Sequence, residues 1–192
     1  VPAAKVAEDP IGKLLALGGA MANPAIPAPQ DIFGKRRNSA GLDLTDPVAF
    51  GAMDAARDAF RTTQWRAEPL GAMRQADGAM SPVLNPADHG DQVGTVIAAT
   101  KDQVDQAIAA ADASGWAHWP VGERGDLLRR VADLYEANAA EFFALLAREA
   151  GKTWADAVAE LREAVDFLRY YADEAEMLTG APRGPFVCIS PW

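Results

Sequence analysis

The sequence has little cysteine, histidine and positive charge, and each shortage excludes a class of protein. Its single cysteine, Cys188, provides no disulfide framework. Its two histidines, His89 and His118, have no further ligands at metal-site spacing, so we expect no metal centre. With 18 Lys and Arg against 27 Asp and Glu, the net charge of -9 argues against nucleic acid as a partner.

Long apolar runs and common enzyme motifs are missing too. No apolar run is long enough to predict a transmembrane segment, and no signal peptide is evident, so a cytoplasmic setting is expected. No Walker loop, G-x-G-x-x-G or G-x-S-x-G occurs. Cys188 lies between Val187 and Ile189, where a thiol is expected to be a small buried hydrophobe rather than a nucleophile. The residues alone predict no catalytic group.

The amino-terminal part, residues 1–78, is predicted to be a linker arm. Proline and glycine are frequent in it, and "NPAIPAPQ" is expected to be extended because residues before proline avoid the helical region. The basic cluster at residues 35–37 is expected to be a solvated loop, since it is short. One helix is predicted at about 47–62, capped by Asp46 with Pro47 in its first turn.

Residues 79–192 predict an α/β fold that is incomplete. The expected elements are a hairpin with its turn at 87–91, a helix from the Thr100–Gln103 capping box to about Gly115, helices at about 122–137 and up to Gly151, a helix capped by Thr153, and a fully buried strand at 185–192. A hairpin and a lone buried strand cannot complete one sheet. We therefore expect the strand's partners to lie outside this sequence.

One helix face breaks the usual amphipathic pattern. Val158, Leu161, Val165 and Leu168 form an apolar seam, whereas Glu163, Phe167 and Tyr170 lie almost opposite it. A solvated back face does not normally carry this aromatic spacing, which predicts that the face is covered and Glu163 partly buried. The alternative is an exposed glutamate beside incidental surface aromatics.

Several stretches resemble, in order, the amino-terminal part of aldehyde dehydrogenases. They are "VLNPADHGDQVGTVIAATKDQVDQAIAAA", "WPVGERGDLLRRVADL", "LAREAGKTWADAVAELREAVDFLRYYA" and "PRGPFVCISPW". The resemblance implies a β-hairpin, a helical layer and the first strand of a Rossmann-like NAD domain. In that family Pro-Trp is followed by Asn-Phe-Pro, so the sequence is expected to stop one residue before the oxyanion-hole asparagine.

The branch of the family is also suggested. "REAGKT", "REAVDFLRYYA" and "CISPW" resemble L-glutamate γ-semialdehyde dehydrogenases, and "DIFGKRRNSAGLDLTDP" resembles the linker between the two modules of bifunctional proline utilization A enzymes. The resemblance implies oxidation of proline to glutamate, NAD for the aldehyde step and FAD in a proline dehydrogenase module outside this sequence. It also implies glutamate semialdehyde as substrate, the rest of the polypeptide as partner and a homo-oligomer.

The resemblance assigns site residues as follows. Ile189, Ser190, Pro191 and Trp192 match the strand end that lines the nicotinamide half of NAD, and Glu163, beside Phe167, matches a glutamate near the substrate's amino group. The motifs with the catalytic cysteine and glutamate are absent, and Cys188 does not match the nucleophile, so the chain alone is expected to be inactive. Two alternatives remain: another aldehyde dehydrogenase with an added arm, or a non-enzymatic helical interaction module.

Overall fold

The computed structural model describes residues 1–18, 23–70 and 78–190 and contains both helices and a small sheet. The elements are α1 (Ala3–Val6), α2 (Pro10–Ala16), α3 (Pro47–Asp58), β1 (Trp65–Ala67), β2 (Met80–Asn85), β3 (Asp88–Ile97), α4 (Lys101–Asp112), α5 (Val121–Ala137), α6 (Ala139–Ala150) and α7 (Trp154–Met177). Two 3-10 turns lie at Pro29–Asp31 and Trp116–His118. In the described ranges, every helix is too short or too polar to cross a bilayer.

Several helix ends lie at the residues that the sequence marks as caps, although α4 ends at Asp112 rather than near Gly115. The Asp46 carboxylate accepts hydrogen bonds from the first turn of α3, which ends at Asp58 rather than near residue 62. At α4, the Gln103 N–H donates to Thr100 Oγ1 at 3.3 Å and the Thr100 N–H donates to Gln103 Oε1 at 2.9 Å. This reciprocal pair is the predicted capping box. Gly151, at φ 65°, ends α6 in the left-handed conformation that glycine tolerates best.

The sheet has the order β1-β3-β2. The predicted hairpin is present as β2 and β3, although its turn occupies only residues 86–87. Strand β1 was not predicted, because three residues show no readable alternation; it pairs parallel to β3, with Trp65 opposite Gly94. A Cβ at Gly94 would lie 2.1 Å from the Trp65 carbonyl oxygen, so glycine is needed for this close approach.

The core lies where α6 and α7 meet. It consists of Ala139, Phe143, Ala157, Val158 and Leu161. The Trp154 ring contacts those of Phe50 on α3, at 5.2 Å, and Phe143 on α6, at 5.4 Å, in edge-to-face geometry. These contacts attach α3 to the core. The predicted apolar seam of α7 is buried at Val158, Leu161 and Val165, and Leu168 is half-buried.

The prediction of a buried strand near the carboxyl end is wrong for the described part of this chain. Residues 179–190 have neither helix nor strand, Phe186 is 76% exposed, and Cys188 is exposed rather than a buried hydrophobe. A strand without neighbours cannot pair its backbone N–H and C=O groups, so apolar composition alone does not produce one. Pro191 and Trp192, which belong to the same prediction, lie outside the described residues.

The amino-terminal arm is less extended than the sequence indicates. Helices α1 and α2 are short and contain no buried residue. Within "NPAIPAPQ", the Ile26 N–H donates to the Asn23 carbonyl at 3.0 Å, and a 3-10 turn begins at Pro29. Proline is compatible with the first turn of a helix as well as with extended backbone, which explains the difference.

Candidate functional site

The face of α7 that carries Glu163, Phe167 and Tyr170 is open in this chain. Glu163 is exposed, Phe167 is 50% exposed and Tyr170 is 38% exposed, so the expected cover over Glu163 is not found among the described residues. Tyr171 connects the two aromatic side chains, with ring centroids 5.8 Å from Phe167 and 5.2 Å from Tyr170. We call Glu163, Phe167, Tyr170 and Tyr171 the α7 face.

The segment before α3 reaches the edge of the α7 face. The Arg36 guanidinium carbon lies 4.5 Å from the ring centroid of Phe33 and 5.1 Å from that of Tyr170. A β-bridge pairs Phe33 with Arg36, and Gly34 turns the chain at φ 65°. The prediction of a solvated loop therefore holds for Arg37, which is exposed, but not for Arg36, which is half-buried against α7.

A polar cluster with a buried centre, here called the clamp, fixes the next residues of this segment. The clamp consists of Asn38, Ser39, Asp133, Glu136, Asp166 and Arg169. Asn38 and Ser39 are 5% and 1% exposed. The Ser39 N–H donates to Asp166 Oδ1 at 2.6 Å, and its hydroxyl donates to Asp166 Oδ2 at 2.9 Å. The Asn38 carbonyl accepts from Arg169 Nη1 at 3.3 Å. Helix α7 thus holds the segment by side chains that flank the α7 face.

Two carboxylates of the clamp contact Arg169, which is 4% exposed. Its Nη2 donates to Asp133 Oδ1 at 2.7 Å and to Glu136 Oε2 at 2.6 Å. Burial would raise the pKa of Glu136, but the hydrogen bond from Arg169, with that from the Ala40 N–H, outweighs burial and lowers it. Burial likewise opposes the charge on Arg169, yet its two carboxylate partners raise its pKa. Both groups are charged at neutral pH.

A cavity of about 220 Å³ lies where this segment covers the core. Its walls are mostly apolar, and include Leu42, Met53, Phe143 and Leu161, with Arg162 and Glu136 among the polar groups. The Arg162 Nε donates to Ser39 Oγ at 3.2 Å, and the Glu136 carboxylate contacts Arg169. Both polar groups are already engaged by the protein, so the cavity presents packing surface rather than reactive groups.

The two histidines and the cysteine considered in the sequence analysis do not form a reactive site. His89 lies in β3, His118 in a 3-10 turn and Cys188 in coil, and all three are exposed. Across residues 1–18, 23–70 and 78–190, no group of three His, Cys, Asp or Glu side chains is arranged to hold a metal ion. Ile189 and Ser190 lie in exposed coil, while Pro191 and Trp192 are outside the described residues, so the cofactor wall stays a prediction.

Sequence reasoning missed the clamp, although one signal was available. Arg169 follows Val165 by four residues and therefore lies on the buried seam of α7. A charged residue on an apolar seam is rarely buried without a partner, so it indicates an ion pair. Ser39 offers no such signal, because its contact with Asp166 spans 127 residues of sequence.

The fold and sequence match known proteins. The aldehyde dehydrogenase family model matches residues 73–192. Among curated proteins, the bifunctional protein PutA of Salmonella typhimurium is 44% identical over 177 residues, which cover 88% of this chain. The chain spans 13% of the length of that relative.

Two solved structures superpose on the chain. Proline utilization A from Bdellovibrio bacteriovorus, inactivated by N-propargylglycine, gives a TM-score of 0.70 at 28% identity and covers 91% of this chain and 19% of its own. The 1-pyrroline-5-carboxylate dehydrogenase from Thermus with bound NAD gives a TM-score of 0.68 at 31% identity, covering 81% and 30%. The match of the family model to most of the sequence, together with this fold, shows that the chain belongs to the aldehyde dehydrogenase family.

Proposed function

We propose that this chain is part of an NAD-dependent L-glutamate γ-semialdehyde dehydrogenase within a bifunctional enzyme that oxidises proline to glutamate. The observation that carries the proposal is the extent of the similarity to PutA. The similarity covers 88% of the chain, whereas the family model matches only residues 73–192. The similarity to PutA therefore includes part of the segment before residue 73. An aldehyde dehydrogenase with an unrelated arm would not share that segment.

In this proposal the α7 face forms one wall of the aldehyde pocket. Glutamate semialdehyde carries an ammonium and a carboxylate, so its pocket needs a group of each opposite charge. Glu163 supplies a carboxylate for the ammonium, and Phe167, half-exposed beside it, supplies apolar surface for the substrate's methylene groups. The remaining walls of the pocket, the nucleophilic cysteine and the general base belong to the rest of the enzyme.

The cofactor assignment rests on Ile189, Ser190, Pro191 and Trp192 as the wall of the nicotinamide site. The two described members, Ile189 and Ser190, lie in exposed coil, so in this chain they do not enclose a dinucleotide. NAD would accept the hydride in the complete enzyme, and FAD would serve the separate proline dehydrogenase module. We further propose that the complete enzyme is a homo-oligomer in the cytoplasm.

Glu163→Gln in the complete enzyme tests the role of the α7 face. The variant removes the negative charge but keeps the shape, so it should raise the KM for glutamate semialdehyde by roughly tenfold, as expected for a charged hydrogen bond. The KM for butanal, which has no ammonium, should stay unchanged, and kcat should be spared because the lost binding is uniform. Steady-state NADH formation with both aldehydes measures these effects.

Glu149→Gln is the matched control, since Glu149 is an exposed glutamate near the end of α6. It should leave both KM values unchanged. Equal effects of Glu163→Gln on both aldehydes would show that Glu163 supports the fold and does not contact substrate. Failure of the wild-type enzyme to prefer glutamate semialdehyde over butanal would contradict the proposed function itself.

A further inference from the structure

The cavity between residues 39–42 and the core has a floor of buried apolar side chains. Phe143 of α6 and Val158 and Val165 of α7 line it, and they are 3%, 8% and 0% exposed. Its volume of about 220 Å³ exceeds that of an apolar cavity of about 150 Å³ that binds benzene in another protein. The cavity is therefore large enough for an aromatic ring or a short alkyl chain.

Arg162 is fixed at the wall of this cavity. A Cβ at Gly41 would lie 2.9 Å from the Arg162 Cδ, so the stem of the arginine lies directly against the backbone of the segment. The Arg162 Nε donates to Ser39 Oγ at 3.2 Å. A side chain that is already positioned loses less conformational freedom when a ligand binds.

The hydrogen-bond acceptors of Glu136 and Ser39, which both line the cavity, are already used. The Glu136 Oε1 accepts from the Ala40 N–H at 2.9 Å, and its Oε2 accepts from Arg169 Nη2 at 2.6 Å. The Ser39 hydroxyl accepts from Arg162. A ligand that only donates hydrogen bonds would have to compete with these donors.

The guanidinium groups of Arg37 and Arg162, in contrast, have unused N–H groups. Within the described ranges, the recorded hydrogen bond of Arg162 uses its Nε and leaves Nη1 and Nη2 for a ligand. Arg37 is 62% exposed in its side chain and approaches Asp133 and Glu136 only at 4.0 and 3.9 Å, beyond hydrogen-bond distance. Of the charged residues that line the cavity, two are positive and one is negative. The free groups therefore suit an anion, and the apolar floor suits the body of that anion.

We propose that this cavity is a binding site for a small carboxylate with an apolar body. The carboxylate accepts hydrogen bonds from Arg162, whose guanidinium offers them in a planar fork, and the body lies against Phe143 and Val165. The exposed Arg37 adds attraction for the negative charge. The inference goes beyond the proposed function, because Val165 lies on the buried seam of α7, almost opposite Glu163, and the site takes part in no chemical step.

Three ligands that share one aromatic ring test the charge that the cavity prefers. Phenylacetate is an anion, phenylacetamide is its neutral counterpart, and 2-phenylethylamine is a cation. Isothermal titration calorimetry on the complete enzyme should give phenylacetate a Kd about tenfold lower than that of phenylacetamide, as expected for a charge-assisted hydrogen bond. The cation should show no saturable binding, because it would meet like charge.

Variants of Arg162 test the residue that binds the carboxylate. Arg162→Gln should raise the Kd for phenylacetate about tenfold and leave that for phenylacetamide unchanged. Arg162→Lys keeps the charge without the planar fork, so its Kd for phenylacetate should fall between those of wild type and Arg162→Gln. Arg130→Gln removes an exposed arginine of α5 and is the matched control, which should change neither Kd.

Two further variants fill the cavity and locate the ligand. Leu42→Phe enlarges a side chain of the segment, and Met53→Phe enlarges one of α3; both residues line the cavity. Circular dichroism checks the fold of each variant, since overpacking destabilises some cores. In a folded filling variant, neither phenylacetate nor phenylacetamide should bind. If neither variant folds, the Arg162 series decides alone.

The inference is overturned if phenylacetate shows no saturable binding to the wild-type enzyme, or if phenylacetate and phenylacetamide bind equally well. An unchanged Kd for phenylacetate in Arg162→Gln overturns it too. Binding that persists in a folded filling variant would place the ligand outside the cavity and have the same consequence.

Discussion

Residues 37–43 and 179–190 both lack helix and strand, but their burial is the opposite of what their composition predicts. The first segment, "RNSAGLD", is polar, yet Asn38 and Ser39 are buried. The second contains "PFVCIS", the most apolar stretch near the carboxyl end, yet Phe186, Val187 and Ile189 are at least three-quarters exposed. Hydropathy alone therefore does not determine which irregular segment is ordered against the protein.

The difference follows from the partners available to each segment. Residues 38 and 39 find acceptors and donors on α7 for their backbone and side-chain groups, so their burial leaves few polar groups unsatisfied. Residues 185–190 have no adjacent strand in the described sheet, whose order is β1-β3-β2. For an extended segment, missing backbone partners outweigh the gain from burying apolar side chains.

Among changes that affect residues 37–43, the largest effect is expected from removing the centre of the clamp. Arg169→Met keeps a long side chain but leaves Glu136 and the Asn38 carbonyl without their buried donor. Breaking one partner of a buried ion pair typically costs about 3 kcal/mol or more. We expect a loss of that size in the free energy of unfolding of the chain, measured by urea denaturation.

Arg37→Met is the control for this prediction. Arg37 is 62% exposed in its side chain and approaches Asp133 and Glu136 only at 4.0 and 3.9 Å, so its loss should cost less than about 1 kcal/mol. Similar losses for both variants would show that the clamp is held by surface charge in general and not by the buried contacts of Arg169.

The sequence predicts the helices more reliably than the contacts between distant segments. The capping box at Thr100, the cap at Asp46 and the stop at Gly151 are local signals, so each is readable within a few residues. The seam of α7 is likewise visible in its spacing. Strand β1 and the contact between Ser39 and Asp166 depend on residues far apart in sequence, and nothing local indicates them.

At the candidate site, too, local spacing could be read from the sequence and contacts between distant segments could not. Glu163, Phe167 and Tyr170 were grouped correctly on one face by helical spacing, but their cover was not found in the described residues. The approach of Arg36 to that face could not be foreseen, because a basic run has no fixed partner until the chain folds. Local spacing therefore predicts which residues share a face, and tertiary contacts decide what lies on it.

A smaller effect than that of Arg169→Met is expected from pH, because protonation removes only one of the two carboxylates that contact Arg169. The folded state lowers the pKa of Glu136 below its usual value of 4.5. The stabilisation is therefore complete above the unfolded-state pKa and is lost as the pH falls through the lower folded-state pKa. Between pH 6 and 3, the free energy of unfolding should fall less steeply in Glu136→Gln than in wild type.

Glu149→Gln should retain the wild-type slope, since this glutamate is exposed on α6. Residues 179–190 contain no Asp or Glu, so they add nothing to the titration in this range. An unchanged slope in Glu136→Gln would contradict the assignment of acid sensitivity to the clamp.

The smallest effect on the free energy of unfolding is expected from a charge placed in residues 179–190. Val187 is 80% exposed, so Val187→Asp should change the free energy of unfolding of this chain by less than about 0.5 kcal/mol, because little of its apolar surface is buried. Val165→Asp, the same change at a fully buried position of α7, should prevent stable folding, because it buries an unpaired carboxylate. In the complete enzyme, Val187→Asp should also be severely destabilising if residues 185–190 form a strand there between neighbours. A large loss for Val187→Asp already in this chain would mean that the segment packs against the protein without such neighbours, and the contrast with residues 37–43 would disappear.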